Sequence, residues 1–353
     1  MTTPESASQL LDFHKKLVSI SCITQNEAPC SEFLEKHLNA LGYTVEMQEV
    51  APKRHNVLAY LGKKRHTKIL FNTHIDVVPP YIEFREDEEN VYGRGASDAK
   101  GCMAAQVQAV EELRKEGKLK EGDVGFLFVV GEEVDHIGMV KANDLQLTPD
   151  YLIVGEPTES RLALGHKGVL RLNISIEGKA AHSGYPELGV SANEKLVDIL
   201  YRFKNTQWPK DAYFQQTTMN IGVINGGLAA NIVPAFASAA ISFRISTSTK
   251  EVLDIINKIL PEEERVRDKV TLEEVTCWEP VRCHSVPGFP TFVANYFTDI
   301  PSFTGAKKSL LYGPGSILCA HAPHEFINKK ELIAAVDAYK DIVLKLFAES
   351  AEH

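Results

Sequence analysis

The stretch Val124-Gly125-Phe126-Leu127-Phe128-Val129-Val130-Gly131-Glu132-Glu133 joins a short, continuous apolar run to a pair of adjacent acids. A run of this length without polar alternation has the pattern of a strand buried on both faces. Its end would carry Glu132 and Glu133 to the edge of a sheet, where α/β layers present side chains to a ligand crevice.

The flanking segments repeat the theme. Helical spacing appears over Ser8 to Val18 and Ser31 to Leu41, with Gly42 placed as a C-terminal cap. Thr44 to Val50, Asn56 to Leu61, Lys68 to Asn72 and Tyr151 to Val154 read as strands, and Lys100 to Glu116 as a helix. Helices alternating with strands give an α/β layer fold. The pattern changes at Gly168. Val169 to Glu177 alternates apolar and polar residues, as in a half-exposed strand. A helix (Ser191 to Phe203), two strands (Thr217 to Ile224 and Ala235 to Ile245), a helix (Lys250 to Leu260) and a strand (Lys269 to Glu274) follow. The order βαββαβ is the ferredoxin-like module. A strand at Ser309 to Tyr312 and a helix from Lys329 to Phe347 return to the α/β pattern. The chain thus reads as one domain, 1–167 and 281–353, interrupted by another, 168–280.

Other metal-type residues surround the acid pair. In His74-Ile75-Asp76, positions i and i+2 of an extended chain share a face. The Asp76 carboxylate is therefore expected to accept the second ring N–H of His74 and fix its tautomer. Alone, His-x-Asp is more often a surface histidine beside a capping aspartate. Asp98 lies between Gly95 and Gly101, before the long helix. It suits a helix N-cap, and equally a carboxylate bridging two cations; the roles can coexist. Glu156 precedes Pro157, which stiffens its loop, and could be a ligand or a structural ion-pair partner. His321 follows the turn Gly313-Pro314-Gly315. Two histidines and three carboxylates would make two borderline-hard cation sites, leaving one carboxylate of the acid pair as a base.

Composition narrows the field. A net charge of -9 argues against nucleic acid or an anionic membrane as partner. The first nine residues lack a basic segment followed by an apolar one, so no secretory leader is expected. No apolar run approaches a membrane span. Six cysteines (Cys22, Cys30, Cys102, Cys277, Cys283 and Cys319) show no C-x-x-C pair and predict reduced thiols in a cytoplasmic protein. Cys319, two residues before His321, has no visible activating partner and is set aside as a catalytic thiol.

Taken in this order, the blocks resemble the two-zinc amidohydrolases and exopeptidases that include acetylornithine deacetylase, succinyl-diaminopimelate desuccinylase, aminoacylase and carboxypeptidase G. The resemblance runs from His74 to His321 and includes the inserted domain. It implies a zinc-exopeptidase-like mixed sheet sandwiched by helices, with the βαββαβ insertion acting as lid and dimerisation domain. It makes His74 and Glu156 ligands of one zinc, Glu133 and His321 ligands of the other, and Asp98 the bridge, beside a cis Asp98–Ala99 peptide. Glu132 becomes the general acid/base and Asp76 the residue that orients His74. In Ala181-His182-Ser183-Gly184, His182 matches a lid histidine that polarises the scissile carbonyl. Asn231 and Arg244 match residues that grip a substrate carboxylate, and Gly313 matches a backbone contact to substrate. Without the resemblance, His182, Asn231 and Arg244 would read as a surface histidine, a turn residue and an edge ion pair. His324 stands where the family has Asp or Asn; spacing favours His321 as the ligand.

The expected activity is metal-dependent hydrolysis of a small N-acyl amino acid, with two zinc or cobalt ions. The blocks around Glu156 and His321 look closest to N-acetylornithine deacetylases. A metallodipeptidase or carboxypeptidase acting on a small carboxylate-bearing substrate is the alternative within the family. A non-catalytic binding protein is the alternative outside it. A homodimer through the inserted domain is implied, with His182 reaching the site of the partner chain.

Overall fold

Strands Ile69–His74, Val124–Val129 and Tyr151–Val154 are buried along their whole length. Ile69–His74 lies between the other two and pairs with both in parallel. Parallel strands need both faces covered, and the continuous apolar sequence of Val124–Val129 and Tyr151–Val154 reflects that. The computed structural model describes residues 2–351. It divides into two units. The first runs through Leu164 and resumes at Cys283–Phe292 and from Thr298 onward; the second is Gly165–Arg282 with Val293–Phe297.

In the first unit the sheet order is Thr44–Ala51, Arg54–Tyr60, Val124–Val129, Ile69–His74, Tyr151–Val154, Lys308–Leu311. The two leading strands pair antiparallel, as do Arg54–Tyr60 and Val124–Val129. Lys308–Leu311 pairs in parallel with Tyr151–Val154, so the sheet is mixed. Phe71, Phe126, Phe128 and Ile153 share a core with Leu10 and Leu17, Met103 and Val107, and Tyr339 and Val343. These belong to helices Pro4–Val18, Lys100–Lys115 and Lys329–Ala351. The alternate strand residues Leu58, Leu70, Leu127 and Leu152 are buried as well. The first helix begins before the expected Ser8. Thr3 accepts the Ser6 N–H at 3.2 Å and Pro4 opens the helix. Capping chemistry thus starts the helix a turn ahead of its apolar stripe.

The second unit is a four-stranded antiparallel sheet in the order Thr218–Gly226, Phe236–Ile245, Gly168–Glu177, Val270–Trp278. Alternation works as anticipated. Leu170, Leu172, Ile174 and Ile176 face a core shared with Leu196, Ile199, Val252 and Ile256 of helices Ala192–Lys204 and Thr249–Ile259. Ser191 and Ser248 cap those helices. A further helix, Glu262–Asp268, escapes the sequence reading because Glu-Glu-Glu-Arg-Val-Arg-Asp carries no apolar stripe. Thr218–Gly226 is an edge strand, and Val223, Ile224, Leu228 and Phe236 around it are exposed. No helix of the described residues is long and apolar enough to cross a membrane.

Candidate metal centre

Parallel pairing brings several strand ends to one edge of the first unit's sheet. His74 closes its strand, Glu132 and Glu133 follow Val124–Val129, and Glu156 follows Tyr151–Val154. Asp98 arrives from the loop before helix Lys100–Lys115, and the Asp98–Ala99 peptide is cis. His74 Nε2 lies 3.0 Å from Asp98 Oδ1 and 3.9 Å from Glu156 Oε1. His321 Nε2 lies 3.3 Å from Asp98 Oδ2 and 2.9 Å from Glu133 Oε2. Asp98 therefore turns one oxygen to each imidazole. Both histidines of the last motif, His321 and His324, are exposed, and it is His321 whose Nε2 reaches Asp98 and Glu133.

Asp76 is placed differently from expectation. The His74 ring is held through Nδ1 by the backbone carbonyl of Asp76, at 2.8 Å. The Asp76 carboxylate stands 3.8 Å from that nitrogen. Its oxygens accept instead from the backbone N–H groups of Gly131 (2.8 Å), Glu132 (3.1 Å) and Glu133 (3.3 Å), and from the Thr24 hydroxyl (2.8 Å). Three consecutive amides in reach draw the carboxylate away from the ring. The outcome for His74 is the same: Nδ1 is held by a carbonyl, and Nε2 is turned to Asp98 and Glu156, where a cation would replace its proton.

Charge is concentrated here. Burial drives the Glu132 carboxyl up to about 8. Burial, and then the Asp98 charge, raise Glu133; burial holds Glu156 well above the carboxylate range. Asp98 goes the other way: against burial, His321 and His74 hold it below that range. Hydrogen bonds to Asp98 and Glu133 raise His321 to about 10, and His74 is raised by Asp98 and Glu156 despite its burial. Positive charge on the imidazoles thus balances the carboxylates. Divalent cations would supply the same balance, and displacing those protons is how such sites load. Two nitrogen donors and carboxylates from Asp98, Glu133 and Glu156 fit zinc, cobalt or manganese.

A second layer of contacts was not foreseen in full. Glu325 is buried and accepts the N–H groups of Ser97 and Asp98, both at 3.1 Å. Arg94, also buried, donates to Glu325 at 2.8 Å and to the carbonyls of His321 and Ala322 at 3.3 Å. One ion pair thus ties the Asp98 loop to the His321 loop. Glu325 is signalled by its place beside His324 in the motif of His321; Arg94 had only its place between Gly93 and Gly95 as a signal. Thr24 and Asp299 had none. Asp299 lies 3.0 Å from His136, whose ring is 3.7 Å from Glu132.

Gly313 also differs from its expected part. It is buried, its N–H donates to Thr158 Oγ1 at 3.0 Å, and its carbonyl accepts from Thr158 and Ser160. A Cβ there would meet Cys102 and the Glu156 carbonyl at 2.4 and 2.5 Å. Its backbone is engaged within the chain, and close packing beneath Glu156 accounts for the glycine. In the second unit, His182 and Asn231 are both exposed and come together. His182 forms a β-bridge with Ile232, and the Ser183 N–H donates to the Asn231 carbonyl at 3.0 Å. Arg244 lies on strand Phe236–Ile245, opposite Thr218 and Val169.

Known proteins resemble this chain along nearly its whole length. The profile of the M20 peptidase dimerisation domain matches residues 164–268, and that of peptidase family M28 matches residues 56–147. A peptidase M20 domain-containing protein of Schizosaccharomyces pombe is 40% identical over 346 residues, covering 96% of this chain and 85% of that one. A probable carboxypeptidase of Aspergillus flavus is 36% identical over 384 residues, covering 96% and 90%. Among solved structures, a tripeptidase from Staphylococcus aureus superposes with a TM-score of 0.79 at 22% identity, covering 97% of this chain and 99% of its own. With identity at this level along nearly its whole length, the chain belongs to the M20 family of peptidases, metal-dependent hydrolases of amide bonds.

Proposed function

We propose that this peptidase removes a terminal residue from short peptides, dipeptides included, using two divalent cations. The observation that carries the reading is Asp98, which turns one carboxylate oxygen to His74 and the other to His321. His74 and Glu156 would hold one ion, His321 and Glu133 the other, with Asp98 between them. The ions, zinc or cobalt, would supply Lewis acidity for the scissile carbonyl and the attacking water.

The chain's own residues do the rest. Glu132 takes a proton from the attacking water and delivers it to the leaving amine. Burial that raises its carboxyl to about 8 suits a group that must both accept and release a proton near neutrality. Asp76 holds the backbone of the loop carrying Glu132 and Glu133. His182 is assigned to the carbonyl oxygen of the substrate, and Asn231 and Arg244 to its carboxylate. A homodimer through the second unit is part of the proposal. Its support is the dimerisation-domain match and an exposed apolar edge strand.

A second reading, deacetylation of an N-acetylated amino acid such as N-acetylornithine, is supported by Gly155-Glu156-Pro157-Thr158 and Ala320-His321-Ala322-Pro323. A panel of dipeptides, tripeptides and N-acyl amino acids, assayed with zinc or cobalt and with a chelator control, tests both. Peptides turned over faster than every N-acyl amino acid support the first reading. Preference for N-acetylornithine supports the second, and metal-independent turnover contradicts both.

A further inference from the structure

Among the described residues, two groups of imidazole and carboxylate side chains set their donor atoms within 4.8 Å of one another. His74, Asp98 and Glu133 belong to the centre already described. The other group is Glu132, His136 and Asp299, and the proposed hydrolysis makes no use of His136 or Asp299. His136 Nδ1 lies 3.0 Å from Asp299 Oδ1 and 3.7 Å from Glu132 Oε1. Donors around a tetrahedral zinc with bonds of about 2.1 Å stand roughly 3.4 Å apart, between those two values. Imidazole nitrogen and carboxylate oxygen are both zinc donors. The Asp299 side chain is 2% exposed, those of His136 and Glu132 14% and 11%. The space between them is therefore shielded from bulk water without being sealed.

The backbone fixes all three. His136 has a left-handed φ of 57° directly before helix Ile137–Ala142, and its N–H donates to the Gly131 carbonyl at 2.8 Å. Asp299 precedes the short turn Ile300–Ser302, with the Ser302 N–H on its carbonyl at 3.0 Å. Glu132 is held through its N–H by Asp76. Three donors that converge from anchored backbone need little rearrangement to accept an ion.

We propose that Glu132, His136 and Asp299 form a third divalent-cation site. It is weaker than the catalytic pair, and its occupancy by Zn2+ withdraws the Glu132 carboxylate from proton transfer and so inhibits the enzyme. The inference rests on the assignment of Glu132 as general base. The site is the weaker one because a third cation enters beside two already bound, and like charges repel. Excess zinc would then act as a reversible inhibitor without removing the two catalytic ions.

The test is a zinc titration of the full-length enzyme reconstituted with two equivalents. Bound zinc is measured by equilibrium dialysis, and the hydrolysis rate is followed on the best substrate of the panel. The wild type should take up a third equivalent while its rate falls in parallel. In His136→Gln and Asp299→Asn, both midpoints should move upward together by at least about 10-fold. His136 is the less buried of the two, so its variant keeps the test open if Asp299→Asn fails to fold. Unchanged inhibition in a folded variant overturns the proposal, and so does a wild-type stoichiometry that stays at two while the rate falls. A third equivalent bound at full rate overturns it too. The base assignment fails separately, if Glu132→Gln retains full activity.

Discussion

The carboxylate of Asp76 accepts the backbone N–H of Glu132 at 3.1 Å, while the backbone carbonyl of the same Asp76 holds the ring of His74 at 2.8 Å. One residue thus fixes an imidazole on one strand and the acid-bearing loop of the next. An Asp76→Asn side chain would turn an amide NH2 toward some of the three amides it now accepts from. Zinc affinity and kcat should each fall by about 10–100-fold, as they do when contacts that orient metal ligands are lost. Chelator competition and steady-state rates measure this, and wild-type values in both would show that the carboxylate has no part in positioning the loop.

Glu132 is the carboxylate that the proposed ligand sets leave out. Glu132→Gln should keep two metal ions and most substrate affinity while kcat falls by roughly two to four orders of magnitude. Metal analysis beside the kinetics decides the point. Loss of an ion in this variant would make Glu132 a ligand and move the base role to Glu133.

His14 gives a pH dependence outside the centre. It is fully buried on helix Pro4–Val18, with Nε2 3.0 Å from the Ala96 carbonyl. Burial lowers it from 6.5 to about 4. Above pH 6.5 the ring is neutral whether the chain is folded or not, and it contributes nothing to pH dependence. As pH falls from 6.5 to 4, the unfolded chain gains a proton that the folded chain refuses, so stability is lost across that window. His14→Gln should flatten this part of the profile. Melting temperatures at pH 7 and pH 5 check it, and an equal drop in wild type and variant would contradict it.

The dimer proposal makes a prediction for mixed chains. If His182 of one chain serves the metal centre of the other, an inactive His182→Ala chain mixed with an inactive Glu132→Gln chain should regain part of the activity. Some heterodimers would then carry one intact composite site. No recovery after proven subunit exchange would contradict service across the dimer.

Much of this was legible in the sequence because burial writes periodicity. Unbroken apolar runs gave Val124–Val129 and Tyr151–Val154, and strict alternation gave Gly168–Glu177. Glu132, Glu133 and Glu156 were legible because each follows such a run, whereas Asp98 and His321 lie in glycine-bearing loops. Contacts between residues distant in sequence left little trace. Asp76 reaching across to residues 131–133, and Arg94 spanning to Glu325, depend on which strands become neighbours. The packing at Gly313 was hidden for a related reason: Cys102 and Glu156, distant in sequence, lie too close to it for a side chain. The helix Glu262–Asp268 was invisible because it buries no apolar stripe.

The central claim is that Asp98 bridges two cations, one with His74 and Glu156, the other with His321 and Glu133. Anomalous diffraction at the zinc edge, from crystals of zinc-loaded enzyme, tests it most directly. Two peaks roughly 3.5–4 Å apart are expected, with Asp98 between them. Ligand nitrogens of His74 and His321 should lie about 2.0–2.1 Å from their respective ions. A single peak, or a second ion bound by His324 in place of His321, would contradict the account.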